Sequence, residues 1–178
     1  AFFGSRVIND RSLDVNLNFI MGAFAISMSM LAAGCAQQPQ AAGDASSLAD
    51  ILVEGGPCHG TCPVYSVKIS EDGTTRFTGA RFTAVDGERV RANDPERFTR
   101  IERRLAPWQP TMGTTTDTPD CGLRATDLPH YTVTWTSRGG ETATLEHDSG
   151  CHSAEARRLT EQLRALPQTL SIEPWVGR

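Results

Sequence analysis

Residues 17–34 hold no charged side chain and run without a break into Cys35. This stretch divides the chain. An uncharged run of that length just suffices to span a bilayer, but Gly22, Ser27, Ser29, Ala32, Ala33 and Gly34 interrupt it and its last residues are small. The profile is that of a secretory hydrophobic region with a peptidase site rather than of a permanent span. A globular domain must therefore be built from the residues C-terminal to Cys35, and it must fold outside the cytosol.

The segment Leu31-Ala32-Ala33-Gly34-Cys35 resembles the lipobox of bacterial lipoproteins. The resemblance implies that Cys35 is diacylated on sulfur, that residues 1–34 are removed, and that Cys35 opens the mature chain. Acyl chains contribute about 0.8 kcal/mol per buried CH₂, so a multiply acylated Cys35 holds the chain stably to a lipid bilayer. No Asp follows Cys35, which resembles the outer-membrane sorting pattern and implies an envelope lipoprotein facing the periplasm. An uncleaved anchor and a secreted or periplasmic soluble form are the alternatives. The chain opens with Ala1 rather than Met, so the start is expected upstream or, with a very short signal, at Met21.

Residues 36–49, AQQPQAAGDASSLA, lack apolar periodicity and read as a flexible tether. The expected organisation is a signal peptide over 1–34, a lipidated Cys and tether over 35–49, and one domain over 50–178. A domain of that size buries roughly two-thirds of the surface its unfolded chain exposes. With 39% hydrophobic and 21% charged residues, the chain is too apolar to be disordered and fits no collagen or coiled-coil composition. A net charge of -4 argues against a nucleic-acid surface.

Within the domain, Ile51-Leu52-Val53 is a short apolar run stopped by Gly55-Gly56-Pro57. In VYSVKIS, Tyr65, Val67 and Ile69 alternate with polar residues, the mark of a half-buried strand. Glu71-Asp72-Gly73 supplies a turn, and TTRFTG, RFTAV and ERVRA continue an antiparallel meander. Asn93-Asp94-Pro95-Glu96 starts a helix whose Phe98, Ile101 and Leu105 share one stripe until Pro107. Residues 107–129 read as a long loop. A second hairpin comes next at Tyr131–Trp135 and Ala143–His147, then a helix capped by Ser153, carrying Ala156, Leu159, Leu163 and Leu166, and ended by Pro167. The order ββββ-α-ββ-α predicts an α+β domain: an antiparallel sheet of about six strands with two amphipathic helices packed on one face.

Four cysteines lie in that domain: Cys58, Cys62, Cys121 and Cys151. In an exported chain an even count implies disulfides, with three connectivities possible. Gly60 allows a tight Cys58–Cys62 loop, and a Cys121–Cys151 bridge pins the long loop, so this pairing is favoured; the crossed pairings stay open. The competing reading is a metal site made from Cys58, His59, Cys62, Cys151 and His152, or a redox-active dithiol at Cys58/Cys62. The C-H-x-x-C spacing matches no standard zinc finger, and C-x-x-x-C before a strand is a poor redox motif.

The string Gly56-Pro57-Cys58-His59-Gly60-Thr61-Cys62-Pro63-Val64-Tyr65, with Asp72-Gly73 and Phe77-Thr78-Gly79 after it, resembles a bacterial domain family of the DUF6438 type, over Ile51 to about Leu166. The resemblance implies an exported domain of secreted proteins or lipoproteins and carries no activity with it. Here His59 stands where an aromatic is common, and Cys121 and Cys151 are additions.

The remaining candidates have plain readings. His147, Asp148 and Ser149 lack a nucleophile elbow, and Ser149-Gly150 suits a strand-to-helix turn. Arg97, Arg100, Arg103 and Arg104 form a solvated basic side or face anionic headgroups, and Trp108 and Trp175 read as exposed anchors beside prolines. No catalytic residue and no cofactor is expected. The expectation is a non-catalytic binding or structural module serving an envelope protein or ligand.

Overall fold

The computed structural model describes residues 47–118 and 121–177. Cys35 and the signal and tether readings before residue 47 lie outside the described residues. Seven strands form one sheet: β1 (Leu48–Gly55), β2 (Val64–Ser70), β3 (Thr74–Arg81), β4 (Gly87–Ala92), β5 (Thr115–Asp117), β6 (His130–Ser137) and β7 (Thr142–Asp148). Helices α1 (Pro95–Leu105), α2 (Ala154–Thr169) and the short α3 (Glu173–Val176) complete the α+β fold.

The sheet order is β4-β3-β2-β1-β6-β7-β5, with β1 at its centre. Alternation along each strand sets one face inward. Ile51 and Val53 pair across to Ile69 and Val67 on one side and to Trp135 and Val133 on the other, and all six are at most 1% exposed. Phe98, Ile101 and Leu105 from α1 and Leu159, Leu163 and Leu166 from α2 join the same core. Each large side chain buried this fully contributes roughly 1.5–3 kcal/mol. The other face shows Lys68, Arg76, Thr134 and Thr144 and keeps an Asp50–Lys68 ion pair at 3.0 Å.

The helix start at residues 93–96 forms as its residues dictate. Asp94 accepts the Arg97 backbone N–H at 2.9 Å, and Pro95 occupies the first helical position, where no N–H partner is needed. Ser153 caps α2 in the same manner, accepting from Ala156 N at 3.1 Å.

Several boundaries differ from the sequence expectation. The sheet has seven strands and is mixed, because Thr115–Asp117 adds to β7 in parallel, inside the segment read as loop. This strand carries no apolar residue, so no periodicity announced it. β1 begins at Leu48, within the expected tether, because Leu48 is 2% exposed and belongs to the core. RFTAV is no strand beyond Arg81. Phe82 takes φ 57°, which turns the chain, and Ala84 and Val85 donate their N–H groups to Val176 and Trp175 rather than to a ladder. Pro167 does not end α2, which runs on to Thr169. So near a C-terminus, the missing N–H forfeits a bond without breaking the turn, and Leu170 N still reaches Leu166 O at 2.9 Å.

Candidate functional site

The β1–β2 connection carries the first cysteine pair. Cys58 and Cys62 lie at disulfide distance, with Cα atoms 5.7 Å apart, and Gly60 between them takes φ 136°, which closes so short a loop. Backbone bonds from Gly56 N to His130 O (2.7 Å) and from His59 N to Asp127 O (3.2 Å) tie this loop to the segment that enters β6. Cys121 and Cys151 form the second pair, Cα atoms 5.2 Å apart. Around it, Ala125 N bonds Gly150 O, His152 N bonds Leu123 O, and Arg124 meets Asp148 at 3.4 Å. A β-carbon at Gly150 would sit 2.1 Å from the Ala125 carbonyl oxygen, so glycine alone permits this approach. Both stapled loops thus bind one connection, residues 123–130, which leads into β6.

The alternative metal set is not brought together. Cys58, His59 and Cys62 belong to the β1–β2 loop, whereas Cys151 and His152 belong to the β7–α2 turn. Among the described residues, only Cys121, Asp148 and Cys151 place three metal-ligating atoms within 4.8 Å, and two of these are the sulfurs of one pair. Cys58 and Cys62 also lie on the connection between two strands, and neither stands at the start of a helix in the chain, the usual setting of an activated thiolate.

His147, Asp148 and Ser149 do not form a triad. The His147 ring is 1% exposed, with Thr118 Oγ1 2.9 Å from Nδ1 and Thr160 Oγ1 2.7 Å from Nε2. Each threonine hydroxyl also lies within reach of a backbone carbonyl, Thr118 of Glu146 O at 3.3 Å and Thr160 of Ala156 O at 3.0 Å, so the neutral ring donates its one N–H to one threonine and accepts from the other. Ser149 Oγ donates to Pro129 O instead of to the imidazole. Burial lowers the His147 pKa to about 4, outweighing the pull of Asp148 toward the charged form. The ring is a neutral brace joining β7, α2 and the segment after β5.

A cavity of about 600 Å³ opens at the end of the sheet, beside the connection that leads into β6. One inward row crosses five strands there, Gly79–Tyr65–Gly55–Tyr131–His147. Gly55 is the floor between two tyrosines. Tyr65 leans over it, since a β-carbon at Gly55 would meet its ring at 3.3 Å. Cys62 and Pro63 form one wall, Leu128 and Pro129 another, and Arg164, Gln168 and Glu173 reach in from α2 and α3. The string that carried the family resemblance therefore ends, at Cys62-Pro63-Tyr65, in the lining of the cavity. The family described as Domain of unknown function (DUF6438) matches residues 49–167. The chain belongs to that family. No curated protein matches it in sequence.

In this DUF6438 domain, burial raises the Tyr65 pKa, with the Tyr131 phenol adding to the shift. Burial also raises that of Tyr131, while the neighbouring Arg164 guanidinium pulls it partly back. Both hydroxyls stay protonated at neutral pH and can donate as well as accept. Sequence reasoning missed Tyr131, Arg164 and Glu173 as site residues. The available signal was a tyrosine at the inward position of each of two strand ends, since a buried tyrosine hydroxyl wants a polar surrounding.

Other expected surface features are engaged in the fold. Arg97 donates to Thr169 O at 2.9 Å and Ser171 Oγ at 3.1 Å, and Arg104 reaches Thr169 Oγ1, so two of the four arginines satisfy the C-terminus of α2. Trp108 and Trp175 are packed against the core rather than exposed, and Trp175 lies between Phe77 and the Arg91 guanidinium. Two disulfide pairs belong in an oxidising compartment. No helix among the described residues is long and apolar enough to cross a membrane.

Proposed function

We propose that this DUF6438 chain is a bacterial cell-envelope lipoprotein, held to the membrane through acylated Cys35, whose domain is a non-catalytic binding module facing the periplasm. The cavity over Gly55 carries the reading. Its volume is that of a small-molecule site, and its lining of tyrosine rings and prolines with a few placed polar groups is the composition such sites have. The nearest residues with catalytic potential argue for scaffold work: His147 is neutral and engaged at both nitrogens, and Ser149 bonds a backbone carbonyl. The two cysteine pairs support export, because they staple the loops that wall the cavity instead of presenting a reactive thiolate.

The test combines fractionation with occupancy. Wild type should partition with membranes and Cys35→Ala with the soluble fraction. Native mass spectrometry of wild type should show a retained ligand, or saturable uptake from an envelope extract, that Gly55→Leu abolishes while circular dichroism stays unchanged. Membrane association that survives Cys35→Ala overturns the lipoprotein reading, and uptake indifferent to Gly55→Leu overturns the binding-module reading.

A further inference from the structure

The charges around the cavity specify more than its volume does. Arg164 stands on the penultimate turn of α2 and Glu173 opens α3, and both line the same space. Among the described residues neither has an ion-pair partner within 4 Å, nor do they pair with each other, although the domain forms such pairs at Asp50–Lys68 and Arg124–Asp148. Arg164 leans on the Tyr131 hydroxyl, which leaves its charge unneutralised, and with Glu173 it presents two unpaired and opposite charges to the cavity that Tyr65 and Tyr131 also line. From these positions, and resting on the binding-module reading, we infer that the cavity takes a small zwitterion, an α-amino acid or short peptide with an apolar side chain, its carboxylate on Arg164 and its ammonium on Glu173.

The lining discriminates against other classes. Arg164 and Glu173 are the two charged groups of the lining, so their formal charges cancel and a ligand of zero net charge answers both. A phosphate ester or dicarboxylate would bring a second negative charge toward Glu173, and a diamine would bring a second positive charge toward Arg164; like-charge contacts of that kind reject the wrong ligand. The apolar part of the ligand meets Pro63, Leu128, Pro129 and Val176 between the tyrosine rings. Arg164 offers a planar fork that matches a carboxylate in two bonds.

The probe is the dipeptide leucyl-phenylalanine, titrated calorimetrically into the full chain in mild detergent, beside its N-acetyl and C-terminal amide forms. Each capped form should bind about tenfold more weakly, the scale of one charge-assisted hydrogen bond. Arg164→Gln should remove the penalty for amidation and keep that for acetylation. Glu173→Gln should do the reverse. Both side chains are exposed, so neither variant threatens the fold. Equal binding of capped and free forms, or discrimination unchanged in both variants, overturns the inference. If the dipeptides fail to bind while saturation-transfer NMR shows neutral aromatic fragments held in a Gly55-dependent manner, the ligand class falls and the binding module stands. If no fragment is held either, both fall.

Discussion

Replacing the buried imidazole tests the structural account of His147 through proton linkage. The His147 pKa is lowered from 6.5 to about 4 by burial. Between those values the unfolded chain binds a proton that the native chain refuses, so stability is full above pH 6.5 and declines as pH falls toward 4. At about 1.4 kcal/mol per pKa unit, this group alone should remove about 2.5 kcal/mol between pH 7.5 and pH 4.5. His147→Gln keeps a donor and an acceptor for Thr160 and Thr118 but has no proton to take up. Urea unfolding of wild type and variant at the two pH values supplies the comparison. Carboxylates titrate in both proteins and cancel in the difference. The variant should be less stable at pH 7.5, and its loss on acidification should be smaller by about 2.5 kcal/mol. Parallel pH dependences in the two proteins would show that His147 takes its proton readily, and the neutral brace would be refuted.

Three further perturbations draw on the geometry. Replacing Cys121 and Cys151 together by Ser should cost about 3–4 kcal/mol in urea unfolding, because that bridge spans 30 residues, whereas removing the Cys58–Cys62 pair, separated by four, should cost about 2 kcal/mol; the reverse order would contradict the loop-closure argument. Asp94→Ala removes the cap of α1 and should lower stability by about 0.5–2 kcal/mol, with Asp94→Asn nearly neutral. Trp135 is fully buried and its Nε1–H has no hydrogen-bond partner among the described residues, so Trp135→Phe discards an unsatisfied donor along with part of a ring. It should cost less than about 2 kcal/mol, against about 3–5 for Trp135→Ala, and equal losses would show that the indole N–H matters to the fold.

How much of this was legible in the sequence depends on whether a residue pattern is local. Strands with one dry face announced themselves: Tyr65, Val67 and Ile69 on β2 and Tyr131, Val133 and Trp135 on β6 alternate as read. Asp94-Pro95 and Ser153 declared their helix starts because a cap acts within one turn. β5 was hidden, since Thr115-Thr116-Asp117 has no apolar residue and gains its place from β7. RFTAV mimicked a strand, and only the docking of Ala84 and Val85 against Trp175 and Val176 decides otherwise. The cavity was the least legible element. Tyr65 and Tyr131 are neighbours of Gly55 only through the order β2-β1-β6, and Glu173 joins Arg164 in the lining only because the chain turns into α3 after α2 has run past Pro167.

The central claim is an exported chain whose cysteines hold the walls of a binding cavity. Alkylation of the full chain in its isolated membranes before any reduction, combined with peptide mapping, tests it most directly. The account predicts no alkylated thiol among Cys58, Cys62, Cys121 and Cys151, two cross-linked species joining 58 to 62 and 121 to 151, and an acylated peptide beginning at Cys35. Alkylation of all four, on a chain that bears no lipid, would contradict it.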